Sequence, residues 1–289
     1  MPRIQEAAAP HPANSTTKAR ERIEMSIAPF KVVESIADYV TAISAISDIL
    51  NLAPGCIWYR GMSDNRFQLK PGAFRRQSFD EDSITEEFLV SLPIHVNNRT
   101  PDPWEIYSLM QHHGLPTRLL DWSKSPLAAL FFALDFDETI ASDDLTPVVW
   151  VLNPYELNRL IHEKATVFVP RTGYGPPDIG ELVGSYLPST LRPTESYGSG
   201  SKPPQPIAIE PTFSNARLIA QSGCFTVHGA ADIAINEIIG ISKGLFRLDI
   251  HSESTPSLRS DLEQLGFRAD LIYPDLDHLA RRISNDWLP

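Results

Sequence analysis

The residues best placed to do chemistry are polar side chains set inside apolar runs. Arg60 ends the run Cys56-Ile57-Trp58-Tyr59 and is followed by Gly61. Arg75 follows in a turn-rich stretch. Gln111, His112, Thr117, Arg118, Asp121 and Ser123 then alternate with core-type residues between Glu105 and Leu134, and Gln221 comes late in the chain. Burying such a group without a partner costs roughly 1–3 kcal/mol. Either they satisfy one another in a structural network, or they line a cleft with a fixed cation for a phosphate or carboxylate and with amides and hydroxyls around it. Taken singly, Asp121 reads as half of a buried ion pair, and Gln111 as a partner for the turn at Gly114. His112 and His113 are adjacent and point to different sides of a helix, so a helix C-terminal cap is a simpler role than metal binding.

Other chemistries lack their signatures. There is no G-x-S-x-G elbow, no phosphate loop ending in Gly-Lys-Ser/Thr, no Cys-x-x-Cys, no H-E-x-x-H and no His/Cys cluster at zinc spacing. No metal is expected, which weakens a nuclease or metal-dependent hydrolase reading.

The elements that must position these groups follow from periodicity and punctuation. Ile36, Tyr39, Val40, Ile43, Ile46, Ile49 and Leu50 mark an amphipathic helix, stopped at Pro54-Gly55. Asp102-Pro103-Trp104-Glu105 opens a second helix with a cap and a first-position proline, and Gly114 closes it. Thr117 to Trp122 reads as a strand. Pro126 to Phe136, apolar all round, reads as a central helix. Thr146 to Asn153 is a nearly continuous apolar strand with both faces covered. Ile207 to Pro211 and Leu245 to Ile250 are further strands, Ala216 to His228 passes from helix to strand, and helices follow from Ser257 and from Pro274. The fold class expected is α+β (mixed α/β), with a split or mixed central β-sheet flanked by helices. Residues 1–30 read as a disordered polar lead-in and 31–289 as a single domain, with a long Pro/Gly/Ser-rich loop at 170–206 that includes a helix from Ile179 to Tyr186.

Composition narrows the setting. The 289 residues are 42% hydrophobic and 9% aromatic, enough for a sizeable core. A net charge of −11 argues against nonspecific nucleic-acid or membrane-surface binding. The longest apolar runs fall well short of the roughly 20 residues that span a bilayer. Two distant cysteines, Cys56 and Cys224, fit buried thiols in a reducing compartment. The expected location is the cytoplasm.

Three motifs together resemble the FRG domain. They are Tyr59-Arg60-Gly61, then Leu69-x-Pro71 with Arg75, and then the run from Gln111 to Ser123 followed by Ser125-Pro126-Leu127-x-Ala129-Leu130-x-Phe132-Ala133. The match is dense from Trp58 to Phe136, and Gln221-Ser222-Gly223-x-Phe225 resembles a late family motif; Tyr59 stands where the family has phenylalanine. Members of that family resemble components of bacterial toxin or phage-defence systems. The order of motifs is also similar to ADP-ribosyltransferases of the arginine–serine–glutamate type, and that resemblance implies an ADP-ribosyltransferase-like fold and an ADP-ribosyltransferase or NAD glycohydrolase. It makes Arg60, Asp121 and Gln221 the reacting set, with Arg60 on the pyrophosphate or ribose of NAD. It makes Tyr59, Gly61, Arg75, Gln111, His112, Thr117, Arg118, Ser123 and Phe225 the binding set, with Thr117 or Ser123 at the nicotinamide end. Gln221 stands near the position of the catalytic acid but cannot ionise, so Asp121, Glu210 or Glu237 is the carboxylate to look for. The partners implied are NAD or another nucleotide, with a protein or nucleic-acid acceptor or a partner defence protein, and no membrane. The competing reading is a non-catalytic protein-interaction module whose polar residues form a structural network.

Overall fold

The computed structural model describes residues 27–76, 78–96, 100–136, 145–170, 177–192, 202–211 and 216–288. Its strands are β1 (Lys31–Val33), β2 (Trp58–Met62), β3 (Leu119–Ser123), β4 (Val148–Leu152), β5 (Ile207–Ile209), β6 (Gly223–Val227) and β7 (Leu245–Ile250). They form one mixed sheet in the order β1-β7-β4-β2-β3-β6-β5, antiparallel except where β1 runs parallel to β7. The fold is α+β, as expected.

The sheet is continuous but unevenly joined. Every residue of β2 is in register with β4, from Trp58 opposite Leu152 to Met62 opposite Val148. Every residue of β3 is likewise in register with β6. Between β2 and β3 a single pair, Tyr59 and Ser123, is in register, and from there the two strands part. Mixed therefore describes the sheet, and its one weak seam runs between the two strands that carry Arg60 and Asp121.

Ten α-helices are present among the described residues. Helix α1 (Ile36–Leu50) starts where Ser35 Oγ accepts the Asp38 N–H at 3.1 Å, and ends at Asn51 in the left-handed region, φ 49°. Helices α2 (Glu81–Ser91) and α3 (Pro103–His112) follow. Asp102 Oδ1 caps α3 by accepting the Trp104 and Glu105 N–H groups at 2.9 and 3.0 Å, and Gly114, at φ +82°, turns the chain beyond it. Helix α4 (Pro126–Leu134) lies directly on β2. A Cβ on Gly61 would stand 1.9 Å from the Ala129 carbonyl oxygen, so only glycine lets strand and helix backbones come this close. Small residues on the helix side, Ala129 and Ala133, complete the fit, and both are fully buried. The helix is thus central, as its sequence implies.

Helices α5 (Pro154–His162), α6 (Pro177–Gly184), α7 (Ala216–Ala220), α8 (Thr255–Gln264), α9 (Ala269–Ile272) and α10 (Leu276–Trp287) complete the chain. Inside the stretch read as a loop at 170–206, the helix expected from Ile179 to Tyr186 is present as α6, and the stretch packs inward: Val183, Tyr186, Leu187 and Leu191 join a buried cluster with Trp104, Tyr107 and Phe225. The spacing of Val183, Tyr186 and Leu187 is that of one helix face. At the N-terminus, residues 1–26 lie outside the described residues, but Ile27 packs against the core and Phe30 meets Phe246 edge-on at 5.8 Å just before the unanticipated edge strand β1. No helix among the described residues is long and apolar enough to cross a membrane.

Candidate functional site

A cavity of about 400 Å³ opens where β2 and β3 part. Its floor is Tyr59 to Met62 and Asp121 to Ser123, and its walls come from α3, α4, α7 and the chain at Tyr273.

Arg60 occupies the seam. Its Nη1 donates to the backbone carbonyl of Asp121 at 2.5 Å, taking an acceptor that a continued β2–β3 ladder would otherwise use. Its Nε is buried and has no hydrogen-bond partner. The nearest carboxylate oxygen, Asp121 Oδ2, is 4.0 Å from Nη1, beyond hydrogen-bond reach. Burial, and to a smaller extent nearby Arg75, hold its pKa down to about 10 against the pull of Asp121, so it remains a cation at pH 7. A guanidinium has five N–H donors, and this one is left under-satisfied, so it is chemically able to receive an anion.

Asp121 is no buried ion pair. Its side chain is 55% exposed and lines the cavity. Gln111 Nε2 donates to its Oδ2 at 2.9 Å, and Gln111 Oε1 accepts the hydroxyl of Thr117. Thr117 is itself fully buried and accepts the Leu119 N–H at 3.2 Å. The chain Thr117–Gln111–Asp121 therefore fixes the carboxylate from behind. Gln111 serves the strand rather than the turn at Gly114.

The remaining expected residues separate clearly. Tyr59, Gly61, Arg75, His112, Ser123, Gln221 and Phe225 all line the cavity. Ser123 is 3% exposed and its hydroxyl donates to the Gln221 and Ser125 carbonyls, so it ties the cavity floor together. The Gln221 amide donates to the Ile272 carbonyl at 3.1 Å and anchors α9 beside the site. His112 is held below its ordinary pKa by burial first and then by Arg217 and His113, so it is neutral at pH 7.

Thr117 and Arg118 do not line the cavity. Arg118 is 4% exposed and spends its donors elsewhere: Nε on Glu81 at 2.9 and 3.0 Å, Nη1 on the His228 carbonyl and Nη2 on the Tyr186 carbonyl. Lys202 and the Tyr107 hydroxyl also reach Glu81. Glu210 pairs with Lys124, and Glu237 accepts from Gln68 and the Ala234 N–H; neither lines the cavity. Its carboxylates are Asp121 and Asp135.

Sequence reasoning missed Arg217, Tyr273, Asp135 and Phe132. Arg217 stacks over the Tyr273 ring, 4.9 Å from its centroid, and the Tyr273 hydroxyl donates to Asp135 Oδ2 at 2.8 Å. The signals in the sequence are Phe132, a position of the motif that follows Ser125, and Arg217, four residues before Gln221; Tyr273 gives none, because Arg217 and Asp135 lie far from it in the chain. Among the described residues no group of three or more His, Cys, Asp or Glu is arranged to hold a metal ion.

Comparison with known proteins places one part of this architecture. No curated protein and no solved structure matches the chain. The family model for the FRG domain matches residues 56–141, which span β2, the Gln111–Ser123 run and α4, and the chain carries an FRG domain over those residues.

Proposed function

We propose that the cavity binds a nucleotide, NAD foremost, and that the protein is an ADP-ribosyltransferase-like effector. The observation that supports this best is the pairing of opposites on the split floor: an under-satisfied arginine cation beside an exposed, pre-oriented carboxylate. The cavity, about 400 Å³, falls within the roughly 300–1,000 Å³ usual for small-molecule sites. Arg60, with Arg75 beside it, holds the pyrophosphate. Asp121 accepts from the nicotinamide ribose and stabilises the positive charge that grows there as the C1′–N bond breaks and nicotinamide leaves neutral. The acceptor, a protein, a nucleic acid or water, then bonds to C1′ and gives up its proton, for which Asp121 is the available base. The Thr117–Gln111 chain keeps that carboxylate in place at no reorganisation cost during the reaction. The toxin or phage-defence setting, acting in a bacterial cytoplasm, rests on the family resemblance alone.

The test is release of nicotinamide from NAD by the full chain, alone and with cell extract, alongside calorimetric binding of NAD. Asp121→Asn should still bind NAD and lose turnover by at least about 100-fold. Absence of both NAD binding and turnover in the wild-type protein would refute the proposal. Expression in bacteria adds an independent readout: the wild type should be toxic and Asp121→Asn not.

A further inference from the structure

The C-terminal part of the chain, beyond the FRG match, brings a third arginine to the cavity that Arg60 and Arg75 already line. Arg217 lies in α7 and lines the wall, and among the described residues it has no ion-pair partner. Its guanidinium carbon sits 4.9 Å from the centroid of the Tyr273 ring. A guanidinium stacked by its face keeps its N–H donors free, because they lie in the plane of the group. The platform itself is firmly held. The Tyr273 hydroxyl donates to Asp135 Oδ2 at 2.8 Å, and its ring stacks on His278, with centroids 4.6 Å apart and planes 27° apart. His278 in turn contacts Asp275 through Nδ1 at 2.8 Å. Phe131 and Phe132 close the ring edges, each with centroids 6.1 Å away.

We propose that Arg217, set in place by Tyr273, is an anion contact additional to Arg60 and Arg75 that makes the cavity prefer a ligand with two linked phosphates over a monophosphate. This rests on the reading of the cavity as a nucleotide site. Arg60, with Arg75 beside it, and Arg217 come from different parts of the cavity, the floor side and the α7 wall, so one phosphate engages the Arg60 side or Arg217, and a diphosphate engages both. Tyr273 is a positioning residue: it acts through Arg217.

The experiment compares ADP with AMP by calorimetry on the full chain. These differ by one phosphate on the same nucleoside, and NAD is titrated in parallel to test the underlying reading. The wild type should favour ADP, and Arg217→Gln should lose about 10- to 100-fold for ADP while AMP changes by less than about threefold. Tyr273→Leu should reproduce that loss, whereas Tyr273→Phe, which keeps the ring face and lacks only the hydroxyl, should restore most of the preference. A purely structural role for Tyr273 would lower both affinities together and leave the ADP/AMP ratio unchanged, which would overturn its assignment. If the wild type binds NAD but Arg217→Gln leaves the ratio intact, the inference falls and the nucleotide reading stands. If the wild type binds none of the three, both fall.

Discussion

Arg60 and Arg118 stand at opposite ends of one scale. Each emerges beside a strand of the same sheet, and both are largely withdrawn from solvent, with side chains 19% and 4% exposed. Arg118 meets a carboxylate face-on and two backbone carbonyls. Burial opposes its charge, but Tyr107 and Glu81 outweigh burial and its pKa is raised. Arg60 has one carbonyl, a bare Nε and a carboxylate just out of reach, and its pKa is lowered. A saturated buried arginine fastens the fold, while an unsaturated one at a break in the sheet keeps donors for a ligand.

The largest effect expected is on the saturated side. Removing one partner of a buried pair leaves the other charge uncompensated, which typically costs about 3–5 kcal/mol. Glu81→Ala should lower stability in urea by about that amount. Arg60→Ala should behave in the reverse way: stability within about 1 kcal/mol of wild type, because a poorly compensated cation is removed, and NAD affinity down by about 100-fold. Comparable losses of stability in the two variants would erase the distinction.

Between these lies the seam's support. Gly61→Ala places a Cβ 1.9 Å from the Ala129 oxygen, against backbone that cannot rotate away. Overpacking of this kind costs about 1–3 kcal/mol or more, and calorimetric melting of the variant should show it. Wild-type-like stability would mean that α4 slides freely on β2.

The smallest effect per step is on pH. His228, whose carbonyl receives Arg118, is fully buried, and burial above all pushes its pKa down to about 3. The unfolded chain therefore takes up a proton near pH 6.5 that the folded protein refuses until about pH 3. This contribution is fully present above pH ~6.5 and is lost as pH falls from there towards about 3, with a slope of at most about 1.4 kcal/mol per pH unit. Glu81 adds to the acid end: burial favours its neutral form, Arg118 and Lys202 outweigh burial, and its lowered pKa means that its contribution fades below the ordinary glutamate range. Urea titrations from pH 7 to 4 should show the decline, and His228→Leu should flatten it. An unchanged slope in that variant would place the acid sensitivity elsewhere.

What the sequence discloses tracks how local each cause is. The α3 cap at Asp102, the stop at Gly114 and the burial of α4 are set by neighbours within a few residues, and each is readable in the chain. The concentration of polar groups between Gln111 and Ser123 is readable too, but not its division of labour. Arg118 looks like a site residue until its partners appear, and those partners, Glu81, Tyr186 and His228, come from three separate segments. Asp121 looks like half of an ion pair because the parting of β2 and β3, which holds it 4.0 Å from Arg60, is a property of the sheet and not of either strand. The pairing of Arg217 with Tyr273 is not readable in the chain, since stacking between α7 and the turn after α9 is a long-range contact.

The most direct test is a calorimetric titration of NAD into the wild-type protein and into Arg60→Ala, with each protein's urea stability measured on the same preparation. Saturable binding by the wild type, a loss of about 100-fold in the variant and unchanged stability are the predicted results. Equal NAD affinity in the two proteins, or a variant that loses binding only because it unfolds, would contradict the assignment of Arg60 as a cation held open for an anionic ligand.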